Sequence, residues 1–237
     1  MIELYTWPTP NGVKVHIMLE ETGLEYNVHP INIQKGDQFD PEFLKFSPNN
    51  RMPAMIDTDG PGGEPISLFE SGAMLIYLGE KTGMFYPTDD RLRYETICWV
   101  MFQMGGVGPM LGQNNHFRMY AKDMGHEVQY AVDRYSNETR RLYGVVDERL
   151  ADNDWLAAGQ YTIADMATFP WLRLNERFDI ELDEFPNIKR WHDAIDARPA
   201  VAKGKEILVE YREKANAELD PKEMQSNMFG AAQFAQR

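Results

Sequence analysis

The sequence predicts an α/β half followed by an all-helical half. Residues 1–83 alternate short β-prone runs with amphipathic stretches, in the order β-α-β-α-β-β-α. From Arg91 onward apolar residues recur almost wholly at helical spacing. Between the two, Gly83 to Asp90 reads as a linker, with Pro87-Thr88-Asp89-Asp90 capping the next helix. The expected division is therefore a first domain over 1–83, a linker over 84–90, a helical domain over 91–215 and a tail over 216–237. The element order implies a sheet that begins parallel and ends antiparallel.

Each element has a local reason. Ile2–Thr6 is a short β-prone run, punctuated by Pro8, Pro10 and Gly12. Val13, Ile17, Met18 and Leu24 follow at helical spacing, and the helix ends near Gly23. Tyr26–Ile33 reads as a second strand, with Pro30 marking an edge or a bulge. Pro41–Phe46 is a short helix, Met52–Asp57 the third strand and Ile66–Phe69 the fourth. The Asp57–Gly63 segment between the last two allows a hairpin. A helix from Ser71 to about Lys81 closes the half. In the second half the helical segments run over about 91–121, 127–151, 162–178, 187–197 and 200–215. Gly105-Gly106-Val107-Gly108-Pro109 is expected to bend or break the first of them. Thr162-Ile163-Ala164-Asp165 is a capping box, with Tyr161 and Met166 as its apolar staple. Beyond Glu218 no period is clear, which predicts a mobile or partner-draped tail.

Bulk properties narrow the function. The 237 residues carry a net charge of −13, which argues against nucleic acid or an anionic membrane as a main partner. An anionic ligand would have to be held by local donors against that field. No apolar run approaches the ~18 residues of a membrane-spanning helix. Met1-Ile2-Glu3-Leu4 lacks the basic start and long apolar stretch of a signal peptide. Cys98 is the single cysteine, so no intrachain disulfide forms, and a reducing cytoplasm fits best. A Cys-x-x-Cys redox centre is excluded for the same reason. Cys98 lies in an apolar helical stretch beside Trp99 and reads as a buried structural residue. The five histidines show no metal-ligand spacing.

Two motifs point to a ligand. Met52-Pro53 precedes the apolar run Ala54-Met55-Ile56, and a proline belongs at the start of such a strand. A cis bond there would mark a fixed turn and leave the Met52 backbone available to an external peptide. Glu70-Ser71 opens an apolar helix, and a helix start carries unpaired N–H groups that suit a carboxylate. Together they suggest a site for a short, peptide-like anion.

These features resemble the cytosolic glutathione transferases, which join a thioredoxin-like half to a helical half. Ser47-Pro48 with Met52-Pro53 is similar to their cis-proline motif, Phe69-Glu70-Ser71-Gly72-Ala73 to their Glu/Gln-Ser motif, and Thr162–Ala167 to their core capping box. The resemblance covers about residues 1–212. Thr9-Pro10-Asn11-Gly12, Lys35-Gly36-Asp37-Gln38-Phe39, Ser47-Pro48-Asn49-Asn50 and the Gly108–Asn114 segment resemble the bacterial Nu class more closely, and with it the fungal prion-forming nitrogen regulator. The Nu resemblance implies a glutathione-dependent disulfide-bond reductase with weak peroxidase activity and poor conjugation of electrophiles. It also implies a homodimer whose partners are glutathione, reduced or oxidised, and a small disulfide or peroxide.

On that resemblance, the helix start at Ser71 takes the γ-glutamyl carboxylate and Glu70 faces the ammonium. The Met52 backbone, set by Pro53, pairs with the cysteinyl part as an added strand would. Gln38 and Asn50 hold the glycyl end. Thr9 and Asn11 occupy the loop where other classes place a Tyr, Ser or Cys, and they are the candidate catalytic residues. A free thiol ionises near pH ~8.5. A hydrogen bond to a charged group contributes roughly 1.5–3 kcal/mol and a helix start roughly 0.3–1 kcal/mol. Together these lower a bound thiol's pKa by roughly 1 to 3. Arg134 matches a position that reaches glutathione in the Nu class; Asp133, Glu138 and Arg141 are its helix neighbours, and a surface ion pair is the alternative. Two other readings share the fold: a non-catalytic glutathione-binding regulator, and a conventional conjugating transferase.

Overall fold

A computed structural model of the protein describes residues 1–217 and 219–235. In chain order the elements are β1 (Ile2–Thr6), α1 (Pro10–Thr22), β2 (Tyr26–Pro30), α2 (Pro41–Leu44), β3 (Ala54–Asp57), β4 (Ile66–Phe69) and α3 (Ser71–Thr82). The helices α4 (Asp90–Phe102), α5 (Gly108–Asn115), α6 (Ala121–Asp123), α7 (Gln129–Ala151), α8 (Ile163–Leu172) and α9 (Pro186–Asp196) follow. The chain closes with α10 (Pro199–Glu206), α11 (Val209–Asn216), α12 (Pro221–Phe229) and α13 (Ala232–Ala235). This is the α/β half and helical half that the sequence predicts.

The sheet has the order β2-β1-β3-β4. β1 pairs parallel with β2 and antiparallel with β3, and β3 pairs antiparallel with β4. Pro30 sits at the end of β2, an edge strand, where its missing N–H costs no ladder bond. α1 begins on the Thr9 cap with Pro10 in its first turn and stops at Gly23 in the left-handed conformation.

The chain forms two compact units. One is Met1–Leu78 with the segment from Pro199 onward, and the other is Gly79–Arg198. In the first unit α10 lies directly on α1. A Cβ at Gly204 would stand 3.0 Å from Ile17 N, so only glycine allows this approach. α1 is buried from Gly12 through Leu19. His16 links the layers: its Nδ1–H donates to Gly204 O at 3.2 Å, and its Nε2 accepts from the Thr6 hydroxyl at 2.9 Å. A carbonyl only accepts, so this bond sets the tautomer. Burial pushes the His16 imidazole down to about 4.

The second unit is built on α7, α8 and α9. Asp165 accepts from Leu156 N (3.0 Å), Trp191 Nε1 (2.8 Å), Thr162 N (2.9 Å) and Thr162 Oγ1 (3.2 Å). Burial pushes its carboxyl up to about 6 against these four donors. Thr162 and Asp165 form the reciprocal capping box that their spacing predicts, and the Thr162 hydroxyl also accepts from Ala164 N at 3.3 Å. Asp147 of α7 caps α9, accepting from Asn187 N and Ile188 N.

Three expectations change. The Gly105–Pro109 segment does not break its helix: Gln103–Val107 widens into a π turn, and helical dihedrals run on into α5. A π turn leaves room for Pro109 where an α turn would meet its ring. The 200–215 segment is two helices, divided by Leu208 at φ 62°. The tail carries α12, capped by Asp220 with Pro221 at its start, and Asn227 Nδ2 donates to Gln34 O at 3.0 Å. Tail positions 218, 236 and 237 lie outside the described residues.

Candidate active site

Strand register assembles the site. Tyr5 pairs with Ala54, and Ala54 with Phe69. The turn after β1, the approach to β3 and the exit of β4 therefore meet at one end of the sheet. Thr6 also pairs with Pro30, so the loop leaving β2 starts there too. Thr9, Asn11, Met52, Pro53, Glu70 and Ser71 all sit within a few residues of that end.

The Met52–Pro53 peptide is cis. β3 starts at Ala54, so Met52 lies outside the ladder. Among the described residues no hydrogen bond engages the Met52 backbone. Thr9 accepts from Gly12 N at 3.4 Å, and its hydroxyl donates toward Met52 Sδ at 3.7 Å. Gly12 is what lets this turn close, because a Cβ there would lie 2.1 Å from Trp7 O. Asn11 is half-buried in the first turn of α1.

Asn50 and Glu70 both hold left-handed backbone, at φ 44° and 71°. Such conformations in residues other than glycine carry strain, and strain of this kind gathers at functional sites. Asn50 is 1% exposed. Its Oδ1 accepts from Arg51 at 3.3 Å, while its Nδ2 is buried with no acceptor among the described residues. Gln38 is also buried, and its Nε2 donates to Ile33 O (3.2 Å) and Asn227 O (3.3 Å). Both neighbours are carbonyls, so the amide nitrogen must face them, and Oε1 is left buried without a donor among the described residues. Glu70 is exposed and its carbonyl accepts from Met74 N as α3 begins.

Sequence reasoning missed Lys14. It stands in α1 fully buried, and its Nζ donates to Ser71 Oγ at 3.3 Å. Burial pushes its ammonium down to about 7, and the Glu70 carboxylate acts in the opposite direction. The available signal was a lone lysine inside the apolar run Val13–Leu19. Arg134 lies in the second unit, exposed on α7, and helps hold the Glu138 carboxyl below its usual range after the larger effect of Arg141. The reading of Cys98 as buried is overturned, for the thiol is exposed. α4 turns Thr96 and Val100 inward, and Cys98 between them faces outward.

The glutathione S-transferase N-terminal domain matches residues 1–80, and the glutathione S-transferase C-terminal domain matches residues 109–199. The chain belongs to the glutathione transferase family. The chain is 49% identical over 201 residues to the disulfide-bond oxidoreductase YfcG of Escherichia coli strain K12, a match covering 84% of this chain and 92% of the relative. A crystal structure of a glutathione transferase from Pseudomonas putida, with one glutathione disulfide bound per subunit, superposes with a TM-score of 0.83 at 47% identity. That match covers 87% of this chain and 91% of the other. A family member from Pseudomonas fluorescens with two glutathiones bound gives 0.82 at 49%, covering 86% and 92%. In this member of the family no Tyr, Ser or Cys stands between Trp7 and Lys14, and Thr9 and Asn11 occupy that turn.

Proposed function

We propose that the protein is a glutathione-dependent disulfide-bond reductase whose reacting sulfurs belong to glutathione and its substrate. The observation that carries this is the Thr9 hydroxyl beside Met52 at the sheet end, in a unit that contains no cysteine. The identity to YfcG and the glutathione-bound relatives support it. Glutathione lies along Met52, with its backbone as an added strand. Its γ-glutamyl carboxylate meets Ser71 and the start of α3, and its ammonium meets Glu70. Asn50 Nδ2 donates to the glycyl carboxylate, while Gln38, expected as a second donor, spends its amide nitrogen on Ile33 O and Asn227 O and offers only Oε1, an acceptor for the glycyl N–H. Arg134 takes the role the family resemblance implies, as a cation for a glutathione carboxylate.

Thr9 and Asn11 donate to the glutathione sulfur and favour its thiolate. The thiolate attacks one sulfur of the substrate disulfide. That S–S bond breaks, the departing thiolate takes a proton from solvent, and a mixed disulfide with glutathione remains. A second glutathione thiolate attacks the glutathione sulfur of the mixed disulfide, yielding glutathione disulfide and the second substrate thiol. Two glutathione thiols are oxidised for each disulfide reduced. Reduction of small peroxides is a weaker side reaction of the same thiolate.

The reading includes a cytoplasmic homodimer. Tyr94, Cys98 and Met101 form an exposed stripe at i, i+4 and i+7 on α4, with Tyr94 62% and Met101 52% exposed. The test follows glutathione disulfide formation with a small disulfide and with a peroxide, and thioether formation with an aryl halide, by the purified protein. Turnover greatest with the disulfide is expected. Glutathione binding with no turnover of any of them, or turnover led by the aryl halide, overturns the reading.

A further inference from the structure

One peptide unit leads directly into Thr9, and both of its polar ends are held. The Thr9 N–H donates to Trp7 O at 2.7 Å. The Pro8 carbonyl, across the same peptide bond, accepts from Arg212 Nη1 at 3.1 Å. The N–H and C=O of a peptide lie in one rigid plane, so engaging both fixes that plane. On the other side, Thr9 O accepts from Val13 N at 2.9 Å, which ties the following peptide to α1. With both flanking planes held, Thr9 keeps φ −105° and ψ 165°, and its hydroxyl keeps its direction. Arg212 stands on α11, 204 residues further along the chain and in the same compact unit. Its neighbour Tyr211 meets the buried Trp7 ring edge-on, with centroids 5.9 Å apart. Adjacent residues of α11 therefore grip adjacent residues of the turn. The helix offers Arg212 no carboxylate at the facing positions, which are Leu208, Val209, Ala215 and Asn216. Half-buried and without an ion pair among the described residues, the guanidinium spends its hydrogen bond on the backbone of the turn.

We propose that Arg212 is a positioning residue for the Thr9 hydroxyl, pinning the Pro8 carbonyl so that the hydroxyl meets the sulfur of bound glutathione. This rests on the reading that Thr9 stabilises the glutathione thiolate. Arg212 acts through the backbone of the turn, so its effect falls on the chemical step. Glutathione affinity, set at Met52 and the start of α3, stays in place.

The test is a double-mutant cycle between Arg212 and Thr9 in the full chain, read by kcat, by KM and by the pH at which the bound thiol ionises. Arg212→Met keeps most of the apolar stem and removes the donor. It should lower kcat for a small disulfide about 5- to 10-fold, hold KM for glutathione within about 2-fold, and raise the bound thiol's pKa by about 0.5 to 1. In a Thr9→Ala background the same substitution should cost less than about 2-fold, because the hydroxyl it positions is gone. Wild-type kcat and thiol pKa in Arg212→Met overturn the proposal. So does an equal loss with and without the Thr9 hydroxyl, the signature of an independent charge effect or of a merely structural arginine. Unchanged turnover in Thr9→Ala alone sinks the thiolate reading itself, whatever Arg212→Met does. Should Arg212→Met fail to fold, Arg212→Gln shortens the side chain and removes the charge while staying polar. A loss that depends on Thr9 is again expected, and a loss independent of Thr9 again overturns the proposal.

Discussion

The Thr9 hydroxyl points at the Met52 sulfur from 3.7 Å, across forty-three residues of chain. This joins the residue expected to stabilise a thiolate to the residue expected to hold the cysteinyl backbone. The same hydroxyl oxygen accepts from Gly12 N, so its proton is free to turn from one sulfur to another. A bound glutathione sulfur would compete with a thioether, which is a weak acceptor. Replacing Thr9 by Ala should lower kcat for a small disulfide by about 10- to 100-fold, the worth of one hydrogen bond to a charged group. Thr9→Ser should keep most of the rate. Steady-state kinetics with both variants decide it, and unchanged turnover in Thr9→Ala would remove the hydroxyl from the mechanism.

Gly12 makes that turn possible. Its Cβ would fall 2.1 Å from Trp7 O and 2.7 Å from Thr6 Oγ1. The first of these is backbone and cannot rotate away. Gly12→Ala should therefore destabilise the protein by roughly 1–3 kcal/mol, read from urea unfolding. It should also displace Thr9 and slow disulfide turnover. A variant as stable and as active as wild type would mean the turn adjusts.

The His16 imidazole, held at about 4 by burial, gives a pH dependence of definite sign. Between about 6.5 and 4 the unfolded chain binds a proton at this position that the folded chain refuses. Stability from His16 is therefore complete above about pH 6.5 and is lost as pH falls toward 4. Urea unfolding across that range should show a steeper decline for wild type than for His16→Gln. Parallel curves would mean that His16 charges in the folded state.

The exposed α4 stripe predicts the assembly. In the proposed dimer Met101→Glu would put a charge in the apolar α4 stripe, and it should shift sedimentation from dimer to monomer while the helical circular dichroism is kept. A wild type that sediments as a monomer at micromolar concentration would contradict the dimer.

Local chemistry made much of the molecule legible from its sequence. Pro, Gly and capping residues punctuate the first half so regularly that β1 and β4 fall where their residues predict. The cis turn at Met52–Pro53 and the helix start at Glu70-Ser71 are likewise properties of a few adjacent residues. What was not legible depends on residues far apart in the chain. Lys14 looks like a polar position on an amphipathic helix, and it is buried where α1 meets Ser71, fifty-seven residues later in the chain. Cys98 looks apolar and buried, and only the inward turn of Thr96 and Val100 puts it outside. The glycine-proline run in the second half looks like a break, and a π turn absorbs it. The sequence by itself determined the order of elements, the family and the absence of a redox cysteine pair, since these reside in short patterns and in composition. Tertiary structure alone decided which charges are buried and which hydroxyls meet, because burial and hydrogen-bond distance depend on segments that only folding brings together.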